Sequence, residues 1–230
     1  DDGSGEIVTL DAATGKRSGP TFTLGEFTQS VSTNSDGSRV LITATDTDAQ
    51  VMTSLYDGST GELLKTTGPE VWGGVGTMGP ITRLTDRGEI ISLSETRLTR
   101  FDATTFEPIG ALAGTSGGFA YIGVSADGRT LSAFAQNGTV SLYDLVDGIR
   151  LGDPIPAAYP DRLSGFLRPD GMELAVNADD GIAMWDLDPE AHAQAACRIA
   201  GRDLTRDEWN TYLADVGEYR STCGFADQHG

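Results

Sequence analysis

Lysine is nearly missing from this chain: its 230 residues hold two, against fourteen arginines and 34 acidic groups, for a formal net charge of −18. Nucleic-acid backbones and anionic lipid are gripped through clustered Lys and Arg, so a chain this acidic excludes both as sequence-independent partners. No apolar run reaches the ~18 residues of a membrane span, which excludes direct membrane insertion by this segment. Histidine is as scarce, at His192 and His229. A hydrolase with a His base has one serious candidate, because His229 sits beside the last residue. Cysteine is confined to Cys197 and Cys223, and no Met precedes Asp1, which reads as a fragment or a processed product. The length allows one sizeable core or two small ones.

What the chain does have is a repeat. Five segments end alike: Glu6–Asp11, Val51–Asp57, Leu98–Asp102, Val140–Asp144 and Ile182–Asp186. Their terminal aspartates are spaced 46, 45, 42 and 42 apart, and Tyr56, Phe101, Tyr143 and Trp185 precede four of them. A second marker keeps step: Asp36-Gly37, Asp86-Arg87-Gly88, Asp127-Gly128 and Asp170-Gly171 each lead into an apolar strand. Glycine takes positive φ at low cost, so these pairs turn one strand into the next. Asn137-Gly138 and Asp179-Asp180-Gly181 supply further hairpin turns, and Thr14-Gly15, Thr60-Gly61 and Asp147-Gly148 turn into an outer strand. One such sheet cannot bury both its faces, so neighbours must stack. A period of 40–45 residues with four strands per unit is the pattern of a β-propeller. The chain therefore predicts an all-β propeller of four-stranded antiparallel blades over residues 1–187. About 4.5 repeats are present: two strands, three full units, then three strands. The open edges call for missing N-terminal blades, a second copy or an irregular five-bladed closure; a seven-bladed ring needs ~300 residues at this period, which favours missing N-terminal blades.

At these aromatic-Asp endings, most literally Trp185-Asp186, the chain resembles WD40-repeat propellers over about residues 6–187. It differs in lacking the Gly-His dipeptide, and neither His falls in a blade. Asp-x-x-Thr-Gly turns also occur in quinoprotein-like and surface-layer propellers, which stay open as alternatives.

From Asp188 the period changes from two to helical. Asp188 caps a helix with Pro189 at its first position, ending near Ala200 at Gly201. Thr205-x-x-Glu208 is a capping box for a second helix over about 206–215. Residues 188–230 thus form a helical tail expected to pack on the propeller, with Trp209 as its anchor. The run Ala196–Arg202, with Leu204-Thr205, Glu208-Trp209, Tyr212-Leu213, Tyr219 and Thr222-Cys223, is similar to the C-terminus of large actinobacterial WD40 proteins that carry a STAND-type NTPase. Some of those also carry a transcriptional-activator module. In that family a membrane span often separates the NTPase from the propeller, which implies an extracytoplasmic propeller; a cytoplasmic one is the alternative. The resemblance implies a C-terminal portion of such a protein, with neither NTPase nor DNA-binding activity in these residues. Cys197 and Cys223 are either two buried thiols or a bridge closing a loop. Their even number, with the family's topology, favours the disulfide, which implies an oxidising compartment.

Other motifs carry little. Gly74–Gly79 fits G-x-G-x-x-G, but Pro80 and a strand follow where a dinucleotide site needs a helix. Gly114–Gly118 fits G-x-S-x-G, yet Phe119–Ile122 continues as a strand rather than the helix of a nucleophile elbow. The pairs Asp46/Asp48 and Asp179/Asp180 lack the carboxylate density of a calcium loop and read as solvated turns. Asn137-Gly138-Thr139 matches a glycosylation sequon, but its hairpin role suffices. Trp72, in a Gly-rich insertion between blades, is a candidate partner-binding residue or a packing residue. The expectation is a non-catalytic protein-interaction or ligand-sensing module of a larger signalling protein, without cofactor or metal, that binds a protein or small molecule on a propeller face. A propeller enzyme and a purely structural scaffold are the alternatives.

Overall fold

The computed structural model of the chain describes residues 5–23, 27–45, 50–68, 81–94, 97–112, 118–156, 165–178 and 181–224. The chain divides into two compact units, Asp1–Trp185 and Asp186–Gly230.

The strands of the first unit follow one another in five sheets. The first sheet pairs β1 (Glu6–Leu10) with β2 (Arg17–Thr23). The second runs β3 (Phe27–Thr33), β4 (Arg39–Thr45), β5 (Val51–Asp57), β6 (Leu63–Thr67). The third runs β7 (Ile81–Leu84), β8 (Glu89–Ser94), β9 (Arg97–Asp102), β10 (Pro108–Ala111). The fourth runs β11 (Phe119–Val124), β12 (Thr130–Ala135), β13 (Thr139–Asp144), β14 (Ile149–Pro156). The fifth stops at three strands, β15 (Gly165–Leu167), β16 (Glu173–Ala178) and β17 (Gly181–Asp186). The lead strands β3, β7, β11 and β15 pack on one another in that order. Each sheet is therefore a blade and the unit a β-propeller, with the 2-4-4-4-3 succession that the repeat predicts.

The two sequence markers each make one turn. Gly37, Gly88, Gly128 and Gly171, which close the first, have φ between +67° and +75°. The repeated aspartate makes the second by accepting backbone N–H groups from the residues that follow it. Asp57 Oδ1 takes Ser59 N at 2.9 Å and Thr60 N at 3.1 Å, Asp102 Oδ1 takes Thr104 N and Thr105 N at 2.8 Å, and Asp144 Oδ1 takes Val146 N at 2.7 Å. Asp11 and Asp186 accept in the same way from Thr14 N and Asp188 N. The Thr14 hydroxyl at Asp11, the Ser59 hydroxyl at Asp57 and the Thr105 N–H at Asp102, together with the other backbone bonds, favour the ionised carboxyl, so all three pKa values lie below the usual carboxylate value.

The core lies between blades. The residue before the aspartate belongs with the preceding blade: Tyr56 meets Phe22 edge-on with centroids 5.4 Å apart, and Phe101 shares a buried cluster with Leu41 and Leu55. The residue four before the aspartate belongs with the following blade, as Leu98 does in a cluster with Ile122, Leu131 and Tyr143. The second and third blades also meet through hydroxyls. Ser30 Oγ and Thr43 Oγ1 each lie 3.0 Å from Thr82 Oγ1, and Thr43 Oγ1 is 3.1 Å from Thr53 Oγ1. All four residues are buried, so the chain of hydroxyls satisfies groups that burial would otherwise penalise.

The second unit holds α1 (Pro189–Ala200) and α2 (Arg206–Tyr212). Asp188 accepts from Glu190 N, Pro189 opens α1, and Gly201 closes it at φ +65°. The Thr205–Glu208 capping box is complete. The second helix is shorter than its sequence suggests: past Tyr212 the chain tightens into a 3-10 turn, Ala214–Val216, before Gly217, whose carbonyl accepts the Trp209 indole N–H at 2.9 Å. Trp209 also meets Tyr219 edge-on. Cys197 and Cys223 form a disulfide, with Cα atoms 5.4 Å apart. Asp203 Oδ1 holds the returning segment beside it, accepting Thr222 N at 2.7 Å and Cys223 N at 2.6 Å.

Candidate ligand-binding site

Where the lead strands end, the second to fifth blades together enclose a cavity of about 420 Å³. Its walls come from Ser32–Ser35 after β3, Arg83, Leu84 and Asp86 at β7, Tyr121 and Gly123–Ala126 at β11, and Gly165–Leu167 with Pro169 at β15. Each blade contributes the same stretch, the passage from lead strand into the first turn. The repeat therefore places four non-identical segments around one opening.

Most of the polar groups in this wall are committed to structure. Ser35 donates its N–H to Asp86 Oδ1 at 2.6 Å and its hydroxyl to Asp86 Oδ2 at 2.5 Å, tying the second blade to the third. Ser32 Oγ accepts Leu84 N at 2.8 Å. Ser125 Oγ donates to Asp127 and accepts Thr130 N, and the Asn34 amide serves Ser38 and Arg39. Arg83 is different. Its Nη1 donates to the Thr82 carbonyl at 2.8 Å, and its guanidinium lies 5.1 Å from the centre of the Tyr121 ring. Among the described residues, this one bond and one aromatic face hold the plane and leave the other guanidinium donors for a ligand. Phe166 adds an exposed aromatic wall. A cation held against an aromatic, beside a second ring, suits an anionic group attached to an apolar body.

Trp72, His229, the 74–79 segment, most of the 114–118 motif and the acidic pairs Asp46/Asp48 and Asp179/Asp180 lie outside the described residues. His192 is in α1, its Nε2 2.7 Å from the Asp186 carbonyl. Among the described residues no three His, Cys, Asp or Glu side chains are grouped to hold a metal. Sequence reasoning missed Arg83 and Tyr121. The available signal was positional: Arg83 lies five residues before the turn glycine Gly88 and Tyr121 seven before Gly128, both on a lead strand. Comparison with protein-family models and with curated proteins returns no match.

Proposed function

We propose that this propeller is a non-catalytic interaction module whose ligand is a carboxylate-bearing peptide or small molecule, taken at the Arg83–Tyr121 cavity. The observation that carries the reading is the Arg83 guanidinium, seated on Tyr121 in a cavity whose other polar groups are largely used by the fold. In a chain with so few positive charges, a cation set into a concave site is costly to keep for packing alone. The bidentate geometry of guanidinium toward carboxylate supplies direction, and the aromatic walls supply apolar contact. The likeness of the repeat to WD40 propellers agrees with this, as does the general use of propeller faces as rigid scaffolds for binding loops. Membership of a larger signalling protein and an extracytoplasmic location belong to the same proposal, supported by the tail resemblance and by the disulfide.

The test is selection of peptides from a displayed random library on the immobilised protein, followed by calorimetry with the enriched peptides. Enrichment of Asp, Glu or a free C-terminus is expected. Arg83→Met should then weaken binding by at least ~10-fold, as the loss of one charge-assisted bidentate contact does. Peptides without carboxylates, or equal affinity for Arg83→Met, would refute the assignment.

A further inference from the structure

The turn glycine sets a register in which the lead strands compare position by position. Three residues before it, Thr85, Ser125 and Arg168 each donate their N–H into their own sheet, to the carbonyls of Glu89, Thr130 and Glu173 at 2.9, 2.9 and 2.8 Å. Bonding alternates along an antiparallel strand, so the N–H four before the glycine, at Leu84, Val124 and Leu167, points out of the sheet. In the third blade that donor is taken. Leu84 N gives to Ser32 Oγ at 2.8 Å, and Ser32 stands five before the turn glycine of the second blade. The same place in the third and fourth blades holds Arg83 and Gly123. A guanidinium has donors only, and glycine has no side chain. Among the described residues, Val124 N and Leu167 N therefore meet no side-chain acceptor from the blade before them.

A Cβ at Gly123 would lie 3.6 Å from Leu167 Cβ and 3.8 Å from Leu167 N. A serine hydroxyl there would reach that N–H as Ser32 reaches Leu84 two junctions earlier. Gly123 and Leu167 both line the cavity that Arg83 also lines. We propose, resting on the carboxylate reading of that cavity, that Gly123 decides which kind of acid is bound: offering no acceptor of its own, it leaves the Leu167 N–H for a carbonyl of the ligand. Arg83 stands at the junction of the third and fourth blades and Leu167 at that of the fourth and fifth. The two donors therefore serve different atoms, the first a carboxylate and the second an amide carbonyl farther along the same molecule. The ligand class is an N-acylated α-amino acid, the unit that ends every peptide, rather than a simple aryl or alkyl acid.

Amide exchange read by NMR on the free protein tests the donor on its own. Leu84 should be protected and Leu167 should not, and Gly123→Ser should slow Leu167 where Gly123→Ala does not. The added Cβ comes within 2.8 Å of Ser132 Oγ, and Ser132→Ala in the same chain relieves that crowding should Gly123→Ser alone fail to fold. The ligand class is tested by titrating N-acetyl-L-phenylalanine and 3-phenylpropionate, which share a carboxylate and a ring and differ in the amide. The acetylated acid should bind about 3- to 10-fold tighter, the worth of one hydrogen bond, and should shift the Leu167 amide. Gly123→Ser should erase that advantage and leave the affinity for 3-phenylpropionate unchanged. A Leu167 amide already protected in the free protein overturns the proposal, as does equal affinity for the two acids. So does an advantage that survives Gly123→Ser or is lost equally in Gly123→Ala. Arg83→Met should weaken both acids alike; if it weakens neither, or if neither acid binds, the carboxylate reading has failed and takes this inference with it, whatever the exchange of Leu167.

Discussion

Phe106 stands where three other turns have glycine. Gly15, Gly61 and Gly148 follow their aspartates by four residues at φ +66° to +76°, and Phe106 holds the same place at φ +59°. A side chain in this region costs about 1–2 kcal/mol. The ring offsets that cost by burial with Leu41, Leu55, Leu84 and Phe101 and by the Lys65 ammonium 5.2 Å above it. The usual order of replacements should consequently invert. Phe106→Ala loses the ring and keeps the strain, a loss of about 3–5 kcal/mol. Phe106→Gly loses the ring but sheds the strain and should unfold at higher denaturant than the alanine variant, by about 1 kcal/mol. An alanine variant as stable as the glycine one would show that the turn is not strained.

Among the elements, α2 is one whose stability can be followed by pH. Glu208 is held down to about 2, chiefly by its ion pair with Arg202 and then by the Thr205 N–H. Because the folded value lies below the ordinary 4.5, the unfolded chain takes up the proton first as pH drops. The contribution is thus complete above 4.5, declines between 4.5 and about 2, and is gone below that. Hydrogen exchange of the first-turn amides of α2 should show that decline, and Glu208→Gln should remove one proton's worth of its slope. An unchanged slope would place the pH dependence on another carboxylate, such as Asp203. The helix starts were legible because capping chemistry is local: Asp188-Pro189 and Thr205-x-x-Glu208 act within one turn. The strands were legible for a similar reason, since Asp-Gly turns and apolar alternation operate over a few residues. Arg83 on Tyr121 was not, because the pair joins different blades across 38 residues. Which lead-strand side chain faces which neighbour depends on the stacking of blades rather than on the strand's own pattern. The early end of α2 escaped too, being set by the reach of the Trp209 indole to Gly217.

For the propeller unit as a whole, stability is spread along a row of blades, each leaning on its neighbours. The second, third and fourth blades each pack between two others, whereas most residues of β1 and β17 are exposed or half-buried. Native-state hydrogen exchange should accordingly find the slowest amides in β4, β8 and β12, and faster ones in β1, β2 and β17. Uniform protection from first blade to last would contradict this. The hydroxyl chain from Ser30 through Thr82 and Thr43 to Thr53 has a mechanical consequence for such a row. Two apolar faces slide past each other at modest cost, because the dispersion attraction given up against one neighbour is recovered against the next. Hydrogen bonds between small hydroxyls allow no such exchange. A shift by one residue, about 3.3 Å along a strand, breaks the bonds that Thr82 makes across the junction and leaves their oxygens unsatisfied in a dry interior. The junction of the second and third blades is in this sense a detent: a pull applied at one end of the row passes through it as load instead of being spent as slip.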